Sequence, residues 1–427
     1  MNFISTRDAK LVVDFKTALI QGLAPDGGLF IPSEIPVLPP SFWSAFTKMS
    51  RQEIAQHILT PYLASSFSPD NIQQIIQEAF TFELPLKSLD ENLFALELFH
   101  GPTRAFKDVG ARFMAQCMSR IEASKSRVVL VATSGDTGAA VASAFHGVPG
   151  VRVIVLFPKG KVSEYQEYQM TSLGGNISTL EVEGDFDDCQ RMVKEAFLDE
   201  ELREEFSLSS ANSINIGRLL PQMLYYFLGS QALMKRGGGK MVVCVPSGNL
   251  GNLTAGLFAK RMGLPIDRFV SAHNINDSFV RFLEGQLFKG VDSRPTLSNA
   301  MDVGRPSNFE RIQALYKEGD LSIYNQIKGY SFSDGQTLEA MQELWEKYKY
   351  LACPHSAIAY RGIAMDRKGN EKGIFLASAH AHKFADVVGQ IKPSFSAPVV
   401  NLAHCEKKQI KPELTALKDC VLQRKEY

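Results

Sequence analysis

Residues 100–108 read His100-Gly101-Pro102-Thr103-Arg104-Ala105-Phe106-Lys107-Asp108, and their setting decides the fold class. An apolar run, residues 93–99, precedes them and has the composition of a buried strand. After the Gly-Pro break comes a segment in which Phe113, Met114, Cys117, Met118 and Ile121 recur at the spacing of a helix packed on one face. Lys107 therefore falls in the first turn of that helix, beside Phe106. Apolar walls and the positive end of the helix dipole both disfavour its ammonium form. A neutral amine is what a nucleophilic or Schiff-base lysine requires. Taken alone, the stretch is better read as a lysine that snorkels its charge into water. The loops elsewhere in the chain change that balance.

Working outward, the same order of strand, turn and helix repeats. Strands are expected over residues 127–132, 151–157, 177–182, 241–245, 269–272 and 373–378. Helices are expected over 136–146, 163–172, 185–197, 216–235, 253–262, 335–348 and 354–367. Continuous β-branched strands alternating with helices imply parallel sheets covered on both faces, an α/β fold. The first ninety residues differ, with helices over 14–23, 51–63 and 69–80, an extended piece at 29–31 and a proline-rich connector at 35–40. The expected division is a mainly helical N-terminal domain (1–90), an α/β domain (91–236) and a second α/β domain (237–427). Gly237-Gly238-Gly239 forms the hinge or turn between the last two. Residues 293–333 mix turns and short helices, and the polar tail beyond 407 reads as a surface helix.

The chain has 427 residues, 45% of them hydrophobic and 22% charged, which is ordinary for a soluble globular protein. Lys plus Arg number 46 and Asp plus Glu 46, so no bulk charge favours nucleic acid or an anionic membrane. The opening MNFISTRDAK lacks the apolar core of a secretory signal. No run approaches the roughly 20 apolar residues of a membrane helix. Six cysteines are scattered without a CxxC, which fits a reducing cytoplasm. His380-x-His382 lacks a third ligand in any motif, and no metal is expected.

Sheets of this kind carry ligands in the loops after the carboxyl ends of their strands. Strand 241–245 ends in Pro246-Ser247-Gly248-Asn249-Leu250-Gly251-Asn252 directly before a helix. Its glycines admit close backbone approach, and the helix start offers unpaired N–H groups, a combination that makes a phosphate cup. A tight turn needing glycine for geometry alone is an equal reading. Strand 127–132 ends in Thr133-Ser134-Gly135-Asp136-Thr137-Gly138, a second anion-receiving turn. An ordinary N-cap cluster explains one of its hydroxyls well and three less well. Strand 373–377 ends in Ser378, a neutral hydroxyl able to bond a ring nitrogen, or a plain turn serine. A desolvated lysine, two anion sites and such a hydroxyl together are what pyridoxal phosphate needs of a protein.

HGPTRAFKDVG (100–110), ATSGDTGAAV (132–141), PSGNLGNLTAG (246–256) and ASAHAHKF (377–384), in this order, resemble the threonine synthases of the longer bacterial and fungal type. The opening ISTR…GLAPDGGLFIP, PKGKVSEYQ (158–166) and SSANSINIGRLLPQ (209–222) look like the same family, so the resemblance runs to about residue 385. It implies a fold-type II, tryptophan synthase β-like enzyme dependent on pyridoxal 5'-phosphate. Lys107 matches the family's Schiff-base lysine, and Gly248, Asn249, Leu250, Gly251 and Asn252 its phosphate-binding loop. Ser378 falls where the family usually has a threonine that meets the pyridine nitrogen. Thr133, Ser134, Asp136 and Thr137 would face the substrate, with phosphate contacts from Lys161, Asn212, Ser213, Asn215 or Arg218. Leu250 and Asn252 depart from the family's usual aromatic and acid, Ser378 from its threonine, and His382 from a small residue.

The implied reaction converts O-phospho-L-homoserine and water into L-threonine and phosphate, in a monomer or homodimer with no nucleic-acid or membrane partner. Two rivals are a lyase on the same scaffold that releases 2-oxobutyrate and ammonia, and a catalytically silent relative that binds an anionic metabolite. A silent binder has no use for a Schiff-base amine, and a buried lysine is costly to keep without one.

Overall fold

The structure is a computed structural model that describes residues 1–122, 125–316 and 322–423. Its strands are β1 (Phe3–Ser5), β2 (Val12–Val13), β3 (Phe30–Pro32), β4 (Leu86–Ser88), β5 (Leu93–Glu97), β6 (Arg127–Ala132), β7 (Val151–Pro158), β8 (Ile177–Val182), β9 (Ser207–Ser210), β10 (Met241–Pro246), β11 (Arg268–His273), β12 (Ile327–Ser331), β13 (Lys372–Ala377) and β14 (Lys408–Ile410). They form a three-stranded sheet ordered β2-β1-β3, a six-stranded sheet ordered β12-β11-β10-β13-β5-β4, and a five-stranded sheet ordered β14-β8-β7-β6-β9. The five-stranded sheet is parallel throughout, and only β4 runs antiparallel in the six-stranded one. Both large sheets are sandwiched by helices, as strands apolar on both faces require. Every residue of β6 is buried.

Sheet membership does not follow the division at residues 91 and 237. β5 pairs in parallel with β13, Leu93 opposite Gly373 and Glu97 opposite Ala377, and so belongs with β10 rather than with β6. At the other end, β14 pairs with β8, and the helix Leu414–Leu422 buries Leu417 and Val421 against Cys189, Met192 and Val193. The chain thus starts one sheet, builds the other and returns. Local periodicity carries no trace of pairing partners nearly three hundred residues apart, which is why the sequence places these strands by neighbourhood. The N-terminal segment holds the helices Phe15–Gln21, Arg51–Leu63 and Pro69–Ala79, but also the antiparallel sheet β1–β3.

Elsewhere the expected elements appear with small shifts. The helix expected over 216–235 is interrupted: Ile216–Leu219 and Met223–Met234 are separated by a 3-10 turn around Pro221, whose missing N–H cannot serve a continuous α-helix. Gly237, Gly238 and Gly239 all have positive φ, so the tri-glycine is a turn that only glycine forms easily. β9 and β12 escaped the sequence reading because one is serine-rich and the other half-exposed.

The tail is therefore part of a core. Leu417→Ala should destabilise the protein by about 3 kcal/mol, the usual cost of an emptied leucine site. A thermal unfolding midpoint equal to that of the parent protein would contradict this packing.

Candidate active site

β10, β13 and β5 are adjacent and parallel, so the loops after their carboxyl ends emerge side by side. These are the glycine loop, the loop beginning at Ser378, and the loop leading to Lys107. Backbone contacts lock the last two together: Phe106 N–H donates to the Ser378 carbonyl at 2.7 Å, and Ala105 bridges Ala379. From the other sheet, the turn after β6 delivers Asp136 to the first turn of the helix Asp136–Phe145. Its Oδ2 lies 3.6 Å from Lys107 Nζ. The two loop systems thus meet at one ion pair.

Lys107 begins the helix Lys107–Met118, and its Nζ stands 4.8 Å from the centre of the Phe106 ring. Its side chain keeps only 15% of its surface accessible. Burial pushes the amine below its ordinary range, against the pull of Asp136 and with the repulsion of Lys383 and Arg218. Burial would raise the Asp136 carboxyl, but Lys383, Lys107 and a 2.9 Å hydrogen bond from Gln166 Nε2 hold it ionised and well below the carboxylate range. Lys383, wholly buried, lies 3.1 Å from Asp136 Oδ1.

The glycine loop has the shape of a cup. Leu250 takes a left-handed conformation (φ 59°), which turns the chain into the helix Gly251–Arg261. A Cβ on Gly248 would lie 2.8 Å from Met301 Cα, so glycine is required by a close backbone approach. Asn249 Nδ2 donates to Ser213 Oγ at 2.6 Å, and its Oδ1 accepts from Ser307 N–H at 2.5 Å. Asn308 Nδ2 bonds the Asn249 carbonyl at 3.0 Å, and Arg311 holds Asn308 Oδ1 at 2.6 Å. The loop is fixed from outside, leaving its helix-start N–H groups for a ligand.

Several sequence-predicted residues are placed differently from expectation. Thr133 Oγ1 accepts from Gly135 N–H and Gly138 N–H at 2.9 and 2.8 Å, and Asn215 is buried, capping Gly217 and binding the carbonyls of Leu19 and Ser210. Both side chains shape the backbone instead of facing a ligand. Asn252 turns its Oδ1 to Tyr226 OH (2.6 Å) and Leu250 buries its side chain, so both can offer only backbone to the cup. Ser134 and Thr137 are half-buried at the turn. Asn212 reaches the Ala132 carbonyl at 2.8 Å, which brings residues 212–213 between the turn and the cup. Lys161 is exposed on the loop after β7, and Ser163 Oγ on that loop donates to the Lys383 carbonyl at 3.3 Å. Arg218 is buried, its Nη1 bonded to the Ala211 carbonyl and its Nε unpaired among the described residues. Burial lowers that guanidinium to about 10. Ser378 is buried at the end of β13, its N–H bound to Ser356 Oγ at 3.1 Å. His382 points away from Asp136: its Nδ1 meets Arg104 at 2.9 Å and its ring stacks on Phe395.

Sequence reasoning missed Lys383, Gln166 and His355. Lys383 stood in the quoted ASAHAHKF stretch, but nothing local distinguishes a lysine aimed inward from one aimed at water. His355 accepts from Ala300 N–H at 3.2 Å behind the cup, and burial pushes its imidazole down to about 4.

A family model for pyridoxal-phosphate dependent enzymes matches residues 67–377, and one for the threonine synthase N terminus matches residues 2–80. The threonine synthase of Haemophilus influenzae is 44% identical over 391 residues, spanning 92% of this chain and 91% of its own. The chain belongs to the threonine synthase family. The crystal structure of the Escherichia coli threonine synthase superposes with a TM-score of 0.91 at 39% identity, over 99% of both chains. The pyridoxal phosphate-bound threonine synthase of Brucella melitensis does so with a TM-score of 0.90 at 34% identity, over 99% of this chain and 98% of that one. The site fits the cofactor of this threonine synthase family: a buried amine of lowered proton affinity, a glycine cup that a Cβ would close, and a hydroxyl residue at a neighbouring strand end. Among the described residues no cluster of His, Cys, Asp and Glu could hold a metal ion.

Gly248→Ala must push the loop off Met301, a shift worth about 1–3 kcal/mol. It should weaken pyridoxal phosphate binding about tenfold or more in an absorbance titration; unchanged affinity would refute the cup. The native chain keeps His355 neutral down to about 4, whereas an unfolded histidine takes its proton near 6.5. Its contribution to stability is therefore whole above 6.5 and lost as pH falls toward 4. His380, also lowered to about 4, acts in the same sense, and Asp302, raised to about 6, opposes it. His355→Gln should flatten the acid side of a plot of thermal midpoint against pH, and a slope equal to that of the parent protein would contradict the assignment.

Proposed function

We propose that this chain converts O-phospho-L-homoserine and water into L-threonine and inorganic phosphate, with Lys107 as the amine that carries pyridoxal phosphate. One observation carries the reading: Lys107 is largely but not fully buried at a helix start and faces Asp136 at 3.6 Å, in a chain similar throughout its length to threonine synthases. The same observation speaks against a silent metabolite binder, because a buried amine of lowered proton affinity has no use in one.

When bound, pyridoxal phosphate withdraws electrons from the substrate and so acidifies its Cα–H and then its Cβ–H. The residues of this chain do the rest. The N–H groups of Gly248 to Asn252 take the cofactor phosphate at the helix start. Ser378 presents a neutral hydroxyl to the pyridine nitrogen, which leaves that nitrogen less protonated than a carboxylate would. Ser134 and Thr137 orient the substrate carboxylate. Asn212, Ser213 and Lys161 receive the phosphate that leaves. Lys107, as a free amine beside the substrate, would take the proton from Cα, carry it as an ammonium, and be the nearest base for the Cβ proton once that one has been handed on. Asp136 holds the Lys107 amine in place across the sheet boundary. The substrate is a small molecule, and among the described residues no helix is long and apolar enough to cross a membrane. A cytoplasmic monomer or homodimer completes the proposal.

Incubation of the purified protein with pyridoxal phosphate and O-phospho-L-homoserine should yield threonine and phosphate in equal amounts. Phosphate with 2-oxobutyrate and ammonia would make it the lyase instead. Lys107→Ala should lower turnover at least about a thousandfold and abolish the visible absorbance of the bound cofactor. A variant that kept full activity would overturn the role given to this lysine.

A further inference from the structure

We propose that Lys383 is a positioning residue which sets the proton affinity of Lys107 through the carboxylate of Asp136. The inference rests on reading Lys107 as the amine that carries the cofactor. Lys383 is wholly buried, and its Nζ meets three acceptors: the Thr103 carbonyl at 2.7 Å, Gln169 Oε1 at 2.7 Å and Asp136 Oδ1 at 3.1 Å. An ammonium has three protons, so all are committed and none is left for substrate or water. Asp136 therefore stands between two lysines. Oδ1 serves Lys383 and the amide of Gln166, and Oδ2 faces Lys107 at 3.6 Å.

The consequence concerns charge. A buried carboxylate with Lys107 as its only counter-ion would hold that lysine as ammonium, because a unit charge at such a distance in a dry site shifts a titration strongly. Lys383 supplies a second countercharge at 3.1 Å, so the Asp136–Lys383 pair presents little net charge to Lys107. The other groups around Lys107 work in the same direction or stay silent. Arg218 repels its proton, and His355 remains neutral. On the far side, Asp108 faces Lys383 and is bound by the Thr103 hydroxyl at 2.5 Å and the Thr103 N–H at 3.0 Å. Asp136 can thus orient the Lys107 amine without fixing its proton. A lysine that must exist as a free base to bond a carbonyl carbon and to accept a proton from carbon needs both conditions.

The test uses the full-length, cofactor-free chain and trace labelling with acetic anhydride, read at the Lys107 peptide by mass spectrometry over a pH series. Lys383→Met should move the half-labelling pH of Lys107 upward by about one unit or more, a tenfold loss of reactive amine at fixed pH. Asp136→Asn should move it downward, since Lys383 and Arg218 then act unopposed. Lys383→Arg should restore the parent value. Shifts of opposite sign are not produced by mere loosening of the site. An unchanged midpoint in Lys383→Met, or shifts of the same sign in the two variants, would overturn the proposal. If Lys383→Met fails to fold, as near-ultraviolet circular dichroism would reveal, Lys383→Gln takes its place: an upward shift of the same sense supports the proposal and an unchanged or downward midpoint refutes it. The labelling involves neither substrate nor turnover. A failed product assay with the expected labelling would count against the function alone, and the reverse outcome against Lys383 alone.

Discussion

The parallel pairing of β13 between β10 and β5 is the constraint on which the rest depends. Its register sets Phe375 opposite Cys244 and Leu376 opposite Leu96, so the three strands end at nearly one level. Loops that leave a common edge must meet, and here they meet through backbone hydrogen bonds, as between Phe106 and Ser378. The start of the Lys107 helix, the glycine cup and the hydroxyl of Ser378 are therefore positioned by sheet geometry and not by the flexible side chains that do the chemistry. Sites built this way lose little precision to loop motion. The second sheet supplies the turn at Asp136 and the loops after β7 and β9, and its link to Lys107 runs through Asp136.

Electrostatics then explains why the site suits anions. Lys383 and Arg218 gather beside Asp136 and Asp108 around the Lys107 amine. Removing a cation from water without a full partner costs several kcal/mol. Arg218 bears part of this cost openly, with an unpaired Nε and a proton affinity lowered to about 10. A guanidinium held in this way weakens the protein on its own, and a phosphate or carboxylate brought beside it would relieve that cost.

How much of this was legible depended on whether the signal was local. The α/β class, the helix start at Lys107, the glycine turn at Gly248–Gly251 and the turn at Asp136 follow from period and from Gly and hydroxyl residues at strand ends, and these elements are found where the sequence put them. The assignment of β5 to the far sheet and of β14 to the near one was not legible, because pairing across the chain leaves no local pattern. Side-chain direction was equally hidden. Thr133 and Asn215 have the right chemistry for a ligand and spend it on their own turns, whereas Lys383, which nothing local distinguishes from a solvated lysine, is wholly buried against Asp136. Sequence reports which groups are available, and packing decides which of them are already committed.

Leu250 shows that decision at one residue. A left-handed conformation at a non-glycine position costs roughly 1–2 kcal/mol, and the family's loop would be cheapest with glycine there. Leu250 is nonetheless only 2% exposed, and full burial of a leucine side chain contributes about 1.5–3 kcal/mol. Burial therefore offsets the strain, and it does more than offset it. Glycine would relax the turn but leave a hole beneath the cup and free the loop to move. With leucine, the strained turn is retained only while the side chain stays in the core, so the cup is coupled to the packing under it. Asn252 adds to this coupling by bonding Tyr226 on the helix Met223–Met234. Leu250 and Asn252 thus act beneath the loop, on how firmly it is held.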